Sequence, residues 1–435
     1  MADHTTDGPA AGGTASGPGG PRLTTREVAE RLGVKPETVY AYVSRGQLTS
    51  RRGQGGRGST FDATEVDALA RRGRREPAFG GETSIRTGVT LIEGDRYYYR
   101  GVDATELAAR HGYEEVAEWL WTGELRPGTR FTAPAGILSA ARRAVAALPG
   151  HSGPTDRLRV AAIAAATADP LRFDLSAPSV LGAARGLIPT LVDALPPAGE
   201  LQDAAAAAGS GHGSGEDGTA PLAARLWSRL TARTPDDASL RALEAALVLL
   251  IDHDLAASTL AVRVAASARA HPYAVVSAGL GALEGPLHGA ASGLAHRMLT
   301  EVLERGSAAA VVADHLRGGR SVPGLGHRLY PGPDPRAREL FARLESVPGA
   351  REALAAAREV EATAARQGTP HANVDLALAV LTVSSGMAPE AGETVFAVAR
   401  TAGWVAHALE EYAERPLRLR PVGQYCGPRP PRPTP

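Results

Sequence analysis

From Glu82 onward the apolar residues of this chain return at the three-to-four-residue interval of a helix, and almost nowhere do they alternate as the two faces of a strand require. That period leaves few architectures open, because helical stripes can be buried only against one another or against a sheet, and there is little sheet to be had. The one departure is Gly88 to Tyr99, where Thr90, Ile92, Tyr97 and Tyr99 fall on alternate positions around a turn at Glu93 to Asp95, which predicts a small hairpin. The fold class is therefore mainly α. At 435 residues the chain exceeds what a single core organises, so more than one unit is expected.

The N-terminal part reads separately. Residues 1–21 hold hardly any large apolar side chain and are expected to be a disordered tail. Residues 22–76 then form a compact module. Thr24 and Glu27 are spaced as a capping box, Val28, Ala29 and Leu32 line one face of a short helix, and Gly33 ends it. Pro36 opens a second helix that carries Val39, Tyr42 and Val43 inward and closes at Gly46. Arg51, Arg52 and Arg57 interrupt a glycine-rich stretch running to Thr60 and Phe61, a hairpin wing, before a further helix from Asp62 to Ala70. Between Arg22 and Glu76 there are 12 basic and 7 acidic residues, a surplus of five, whereas the whole chain balances 47 against 47. Any contact with nucleic acid must therefore be local. The module resembles the winged DNA-binding part of regulators of the mercury-resistance or excisionase type. The resemblance implies a second helix presenting Lys35, Thr38 and Tyr40, near Glu37 and Ala41, to a major groove, with Arg51, Arg52 and Arg57 on the wing. A helical hairpin used for protein contacts is the plainer alternative.

Composition excludes several chemistries. Lys35 is the only lysine, so a Schiff-base enzyme is ruled out for the rest of the chain. Cys426 is the only cysteine, which excludes an internal disulfide and any cysteine-rich metal site and fits a reducing cytoplasm. With no apolar run of ~20 residues and no signal-peptide pattern, a soluble cytoplasmic protein without membrane contact is expected. Residues 202–220 are an Ala, Gly and Ser run, read as a flexible insertion.

Four segments could carry chemistry. Leu240, Leu243, Leu247 and Leu250 share a helix face that breaks into Asp252, His253 and Asp254, a charged cluster squeezed between buried helices and in need of partners. A satisfied structural histidine and, less strongly, a metal ligand are the other readings of His253, and no further ligand shows metal spacing. His288 precedes a helix whose Leu294, Met298 and Val302 should face inward; at that helix start the dipole favours a neutral ring, suited to polarising a carbonyl. His327 follows Gly324 and Gly326, and Asp334 with Pro335 places Arg336 at the second position of a helix. Finally Asp375 opens an apolar helix and Arg400 sits among Val395, Val398, Trp404 and Val405; either could be a plain cap or an internal ion pair. Together these residues suit deprotonation next to a carbonyl, with a dianion held by guanidinium forks.

The segments Pro286 to Ala290, Gly326 to Arg336, Asn373 to Asp375 and Arg400 to His407 resemble the signature stretches of citrate synthases, in order and at similar separations. The resemblance implies a large helical domain (82–287 and 385–435) and a small one (288–384) that closes on substrate, in a homodimer. It implies that His288 donates to the thioester oxygen of acetyl-CoA while Asp375 removes a methyl proton, and that His327 hydrogen-bonds the ketone of oxaloacetate. His253, Arg336 and Arg400 match oxaloacetate-binding positions, and Arg420 matches the arginine that the family supplies from the second subunit. No cofactor or metal is implied, acetyl-CoA being a substrate. The chain departs from the family pattern at Ala290, where a second glycine is common, at Pro331, where a basic residue often helps to hold CoA, and at Leu376, where an aromatic usually follows the aspartate. Propionyl-CoA, giving 2-methylcitrate, is an alternative, as is a DNA-binding regulator whose synthase domain senses a metabolite without turning it over.

Overall fold

The computed structural model describes residues 22–32, 34–44, 46–52, 58–73, 84–199, 219–285, 288–330, 332–366, 371–421, 423 and 426. The expected tail at 1–21 and nearly all of the 202–220 insertion lie outside the described residues, as do Gly33, Arg57 and Pro331. Contacts divide the chain into two units, one holding residues up to Ile85 together with those from Pro421 onward, the other Arg86–Arg420.

In the first unit the helices Thr25–Leu32 and Pro36–Ser44 form the expected pair. The capping box is made: the Thr24 backbone N–H donates to Glu27 Oε2 at 2.7 Å, and the Glu27 N–H donates to Thr24 Oγ1 at 3.4 Å. The wing consists of Ser50–Arg52 antiparallel to Ser59–Asp62, with Arg51 opposite Thr60. Arg22–Thr24 adds a third strand on the other edge of Ser59–Asp62, which three residues were too few to announce. Asp62 caps the helix Ala63–Gly73 by accepting the Thr64 N–H at 2.8 Å. Val28, Ala29, Val39, Leu48, Phe61 and Val66 form this unit's own apolar core, and a fork from Arg31 to Asp67 fastens the first helix to the last.

The second unit is helical apart from the sheet of Thr90–Glu93, Arg96–Tyr99 and Val102–Asp103. Its hairpin is the expected one, pairing Thr90 with Tyr99 and Ile92 with Tyr97, with the turn made by Gly94 and Asp95. The two inward tyrosines are fully buried and act on a helix end. Tyr97 Oη donates to Leu249 O at 3.2 Å, and Tyr99 Oη lies 3.1 Å from both Val248 O and Asp252 O. They thereby satisfy carbonyls left over where the helix Asp237–Leu249 stops, and fix the turn that follows.

The helix Ala391–Ala413 runs through the core with almost every side chain buried, as an all-round apolar helix must. It passes so close to the Ile251–Asp252 turn that a Cβ at Gly403 would lie 2.1 Å from Ile251 O. Beside it stand the helices Ala257–Ser267, Ala291–Arg305 and Val374–Ser384. One inward expectation fails: Leu294 is 45% exposed, and Ala295, Met298, Leu299 and Val302 carry the buried face instead. No described helix is long and apolar enough to cross a membrane.

Candidate functional site

His253 sits in the turn between the helices Asp237–Leu249 and Ala257–Ser267, where the next residue, Asp254, takes a left-handed φ of 57°. It is 5% exposed, and its ring meets that of His327 edge-on at 4.9 Å. Its Nε2 lies 2.8 Å from the hydroxyl of Tyr330, a buried residue that the sequence reading passed over. Burial, with Arg336, His327 and Arg400 adding to it, holds His253 well below the usual imidazole range. The ring is therefore neutral.

His327 is presented by a loop that is tied to the start of the Asp375 helix. Gly326 N–H donates to His371 O at 2.8 Å, Asn373 N–H to Gly324 O at 2.9 Å, and the Asn373 side-chain amide to Gly326 O at 2.7 Å. The loop lies so flat on the helix that a Cβ at Gly324 would come 2.7 Å from Leu376 Cβ, while Gly324 itself has φ +78°. Leu376, the position where the family usually has an aromatic, is thus buried under this loop. The backbone N–H of Leu329 donates to His327 Nδ1 at 3.1 Å. Burial chiefly, and Arg336 with it, lowers His327 to about 4, so the neutral ring carries its hydrogen on Nε2, as a donor.

His288 lies just ahead of the helix Ala291–Arg305, and its Nε2 is 2.7 Å from Ser258 Oγ. The ring is neutral, as the sequence predicts, but the cause differs: burial, then Arg400, brings it down to about 4. Phe396 lies between this histidine and Arg400, its ring 5.7 Å from His288 and 4.6 Å beneath the Arg400 guanidinium.

Asp375 does not cap its helix. Asn373 does, accepting the Asp375 N–H at 3.0 Å. The Asp375 carboxylate makes no hydrogen bond or ion pair with any described residue, so neither plain reading of it applies. Burial pushes it up to about 6, with Arg336 pulling the other way and Asp334 adding to the rise.

The two buried arginines are held differently. Arg336 forks onto Asp334 through Nε at 3.0 Å and Nη2 at 2.8 Å, and Asp334 also accepts the Val374 N–H at 3.1 Å. One carboxylate thereby joins Arg336 to the helix carrying Asp375. Arg400 donates Nε to Leu250 O at 2.9 Å, and its Nη1 is buried without a partner among the described residues. A buried guanidinium with an unused N–H is strongly disposed toward an incoming anion. The charge of Arg336 acts on His253, His327 and Asp375, and that of Arg400 on His253 and His288, so the six groups share one electrostatic field.

Arg420 stands apart. It is exposed, and among the described residues no hydrogen bond, ion pair or ring contact joins its side chain to this cluster. Among the described residues there is also no group of three or more His, Cys, Asp or Glu that could hold a metal ion. In the first unit Lys35 and Tyr40 are exposed, Thr38 is half-buried, and Arg51 and Arg52 lie exposed on the wing strand.

A mainly helical body that gathers three neutral imidazoles, two buried guanidiniums and one carboxylate unpaired among the described residues belongs to a narrow class of proteins. The chain belongs to the citrate synthase family: the family described as Citrate synthase, C-terminal domain, matches residues 78–422. A Helix-turn-helix domain matches residues 22–74. A citrate synthase of Acidithiobacillus ferridurans is 28% identical over 387 residues, covering 81% of this chain and 95% of that one. Citrate synthase 2 of Bacillus subtilis is 33% identical over 210 residues, which span 48% of this chain and about half of the relative, 56%. A 2-methylcitrate synthase of Mycobacterium tuberculosis is 27% identical over 347 residues, covering 76% and 84%. Among solved structures, citrate synthase from Thermotoga maritima superposes with a TM-score of 0.63 at 25% identity, over 82% of this chain and 96% of that one.

Proposed function

We propose that the chain condenses the acyl group of an acyl-CoA thioester with oxaloacetate, and that the leading substrate is acetyl-CoA, giving citrate and CoA. The observation that carries this reading is Asp375: a carboxylate with no hydrogen-bond or ion-pair partner among the described residues, held at about 6, beside two imidazoles that are neutral and offer donors. A purely structural aspartate at a helix start would have been used as a cap. A sensor that only binds has no need of a base.

The chemistry follows from the protonation states. Oxaloacetate is held as a dianion by Arg336 and Arg400, with His253 between them, and Arg420 completes the set across a two-fold interface in a homodimer. Asp375 takes a proton from the carbon next to the thioester carbonyl. Carbon acids of this kind are weak, so the charge arriving on the thioester oxygen must be met by a hydrogen bond, which the N–H of the neutral His288 ring donates. The enolate, hydrogen-bonded to His288, then attacks the ketone carbon of oxaloacetate, and the charge passes to the ketone oxygen, to which His327 Nε2–H donates. Water cleaves the resulting thioester and CoA leaves. No metal or cofactor has a role in these steps.

Propionyl-CoA adds one methyl group, a difference of ~1 to 3 kcal/mol in an apolar pocket, so both thioesters belong in the first assay. CoA release by purified protein with oxaloacetate, comparing the two thioesters beside Asp375→Ala, tests the reading. Turnover that collapses in the variant supports it; a folded protein that binds oxaloacetate and turns over neither thioester sinks it in favour of the regulator. Lys35 just before the second helix, Thr38 and Tyr40 on it, and Arg51 and Arg52 on the wing support a DNA-binding role for the N-terminal module, with Arg57 assigned from sequence alone. A gel shift by the full chain that weakens steeply with salt is the expected result, and no shift at low salt removes this part of the proposal.

A further inference from the structure

The segment after the helix Ala391–Ala413 is fastened with unusual thoroughness for a stretch that ends in an exposed arginine. Arg269 donates through Nη1 to Glu411 O at 3.0 Å and Tyr412 O at 2.8 Å, and through Nη2 to Glu414 O at 2.6 Å. The Leu417 N–H donates to Ser267 O at 2.8 Å. Arg418 then forks onto the fully buried Glu411, Nε to Oε1 at 2.8 Å and Nη2 to Oε2 at 2.6 Å, and Leu419 is buried at 6% exposure. The next side chain, Arg420, is exposed and makes no polar contact with any described residue. A clamp, an anchor and a free cation follow one another in three residues.

The clamp has a second end. Glu411 also accepts from Arg263 Nε at 3.2 Å, and Arg263 Nη1 lies 2.8 Å from His407 Nδ1. An arginine N–H can only donate, so His407 Nδ1 accepts and Nε2 carries the hydrogen, which faces Asp252 Oδ2 at 3.2 Å. Asp252, His407, Arg263 and Glu411 are each at most 1% exposed. This buried line therefore runs from the residue beside His253 to the mount of Arg420. Charges taken so far out of water are worth keeping only with good geometry, and replacing them with apolar side chains would often be no less stable.

We infer that Arg418 is a positioning residue for Arg420, and that Glu411, with Arg263 and His407 behind it, fixes the segment from which Arg420 reaches across the two-fold interface. The inference rests on the proposed role of Arg420 in holding oxaloacetate. Its logic is that a guanidinium reaching a dianion from an otherwise exposed segment is useful only if the backbone beneath it is fixed, since a displacement of about 1 Å can cost up to a hundredfold. Glu411 is the shared carboxylate through which one rigid helix holds both this chain's own His253 turn and the arginine it lends across the two-fold interface.

The test is a double-mutant cycle in the full-length protein with Arg418→Met and Arg420→Ala, reading KM for oxaloacetate, KM for the thioester and kcat. Arg418→Met leaves Glu411 paired with Arg263, so the buried line survives. The expected result is a rise of roughly tenfold in KM for oxaloacetate for Arg418→Met, with KM for the thioester within about twofold. Arg420→Ala should cost at least as much, and the double variant no more than Arg420→Ala alone. Arg418→Lys, which keeps the charge and loses the fork, should recover only part of the loss. Additive effects, or a silent Arg418→Met beside a costly Arg420→Ala, overturn the inference while leaving the synthase reading intact. Wild-type protein without turnover is a failure of that reading instead. Should Arg418→Met not fold, the same cycle with Arg418→Lys decides, by the same criterion of non-additivity.

Discussion

At the scale of single residues the proposed reaction asks for imidazoles that stay neutral and one carboxylate that changes charge. His288 and His327 are both lowered to about 4, chiefly by burial, so neither titrates in the range where the protein would work. Asp375 is raised to about 6, and a base acts only when ionised. The sign is fixed by that: kcat/KM should be level above about pH 7 and fall tenfold per unit as the pH drops through about 6, with a single ionisation on the acid side. A pH profile of kcat/KM measures it. A limb centred near 4 would move the assignment of the base away from Asp375. These residues could be read from sequence because each sits in a local pattern, a glycine pair, an Asp-Pro cap or an Asn-capped helix start. Ser258, Tyr330 and Phe396 could not, because each meets its histidine through the path of the fold rather than through anything adjacent in the chain.

At the scale of elements, the site depends on how closely helices and turns approach. The Ala391–Ala413 helix carries Arg400, whose Nε holds Leu250 O, and passes over the Ile251–Asp252 turn at Gly403. Gly403→Ala would set a methyl 2.1 Å from Ile251 O, and the obstructing atom is backbone, which cannot swing aside. Overpacking of this kind costs about 1 to 3 kcal/mol. The expected outcome is a lower Tm together with a raised KM for oxaloacetate, since the displaced turn holds His253; an unchanged Tm would mean that the helix and turn are not packed as described. Helical period revealed that these elements exist but not which neighbour each would meet. Leu294 shows the limit, since a helical wheel gives a stripe and only the packing decides which edge of that stripe is covered. The three residues of Arg22–Thr24 show another, because pairing with Ser59–Asp62 is a long-range event with no local period.

At the scale of the whole molecule, each of the two units has an apolar core of its own. Val28, Val39, Phe61 and Val66 with their neighbours form one, and a much larger cluster from Val89 to Ala408 forms the other. Every residue assigned to condensation lies between His253 and Arg420, inside the second unit. A core that closes without help from outside should fold without it. Removing the first 80 residues is therefore expected to leave kcat/KM within about twofold and to abolish salt-dependent retention of DNA, because the charge surplus that would neutralise phosphates goes with the module. Enzyme assay and gel shift on the same truncated protein check both halves. If turnover collapses while the truncated chain stays folded by circular dichroism, the helix-turn-helix domain has a role beyond the proposed DNA contact: it would be acting on the catalytic unit, and the two parts could not be treated as independent passengers on one chain.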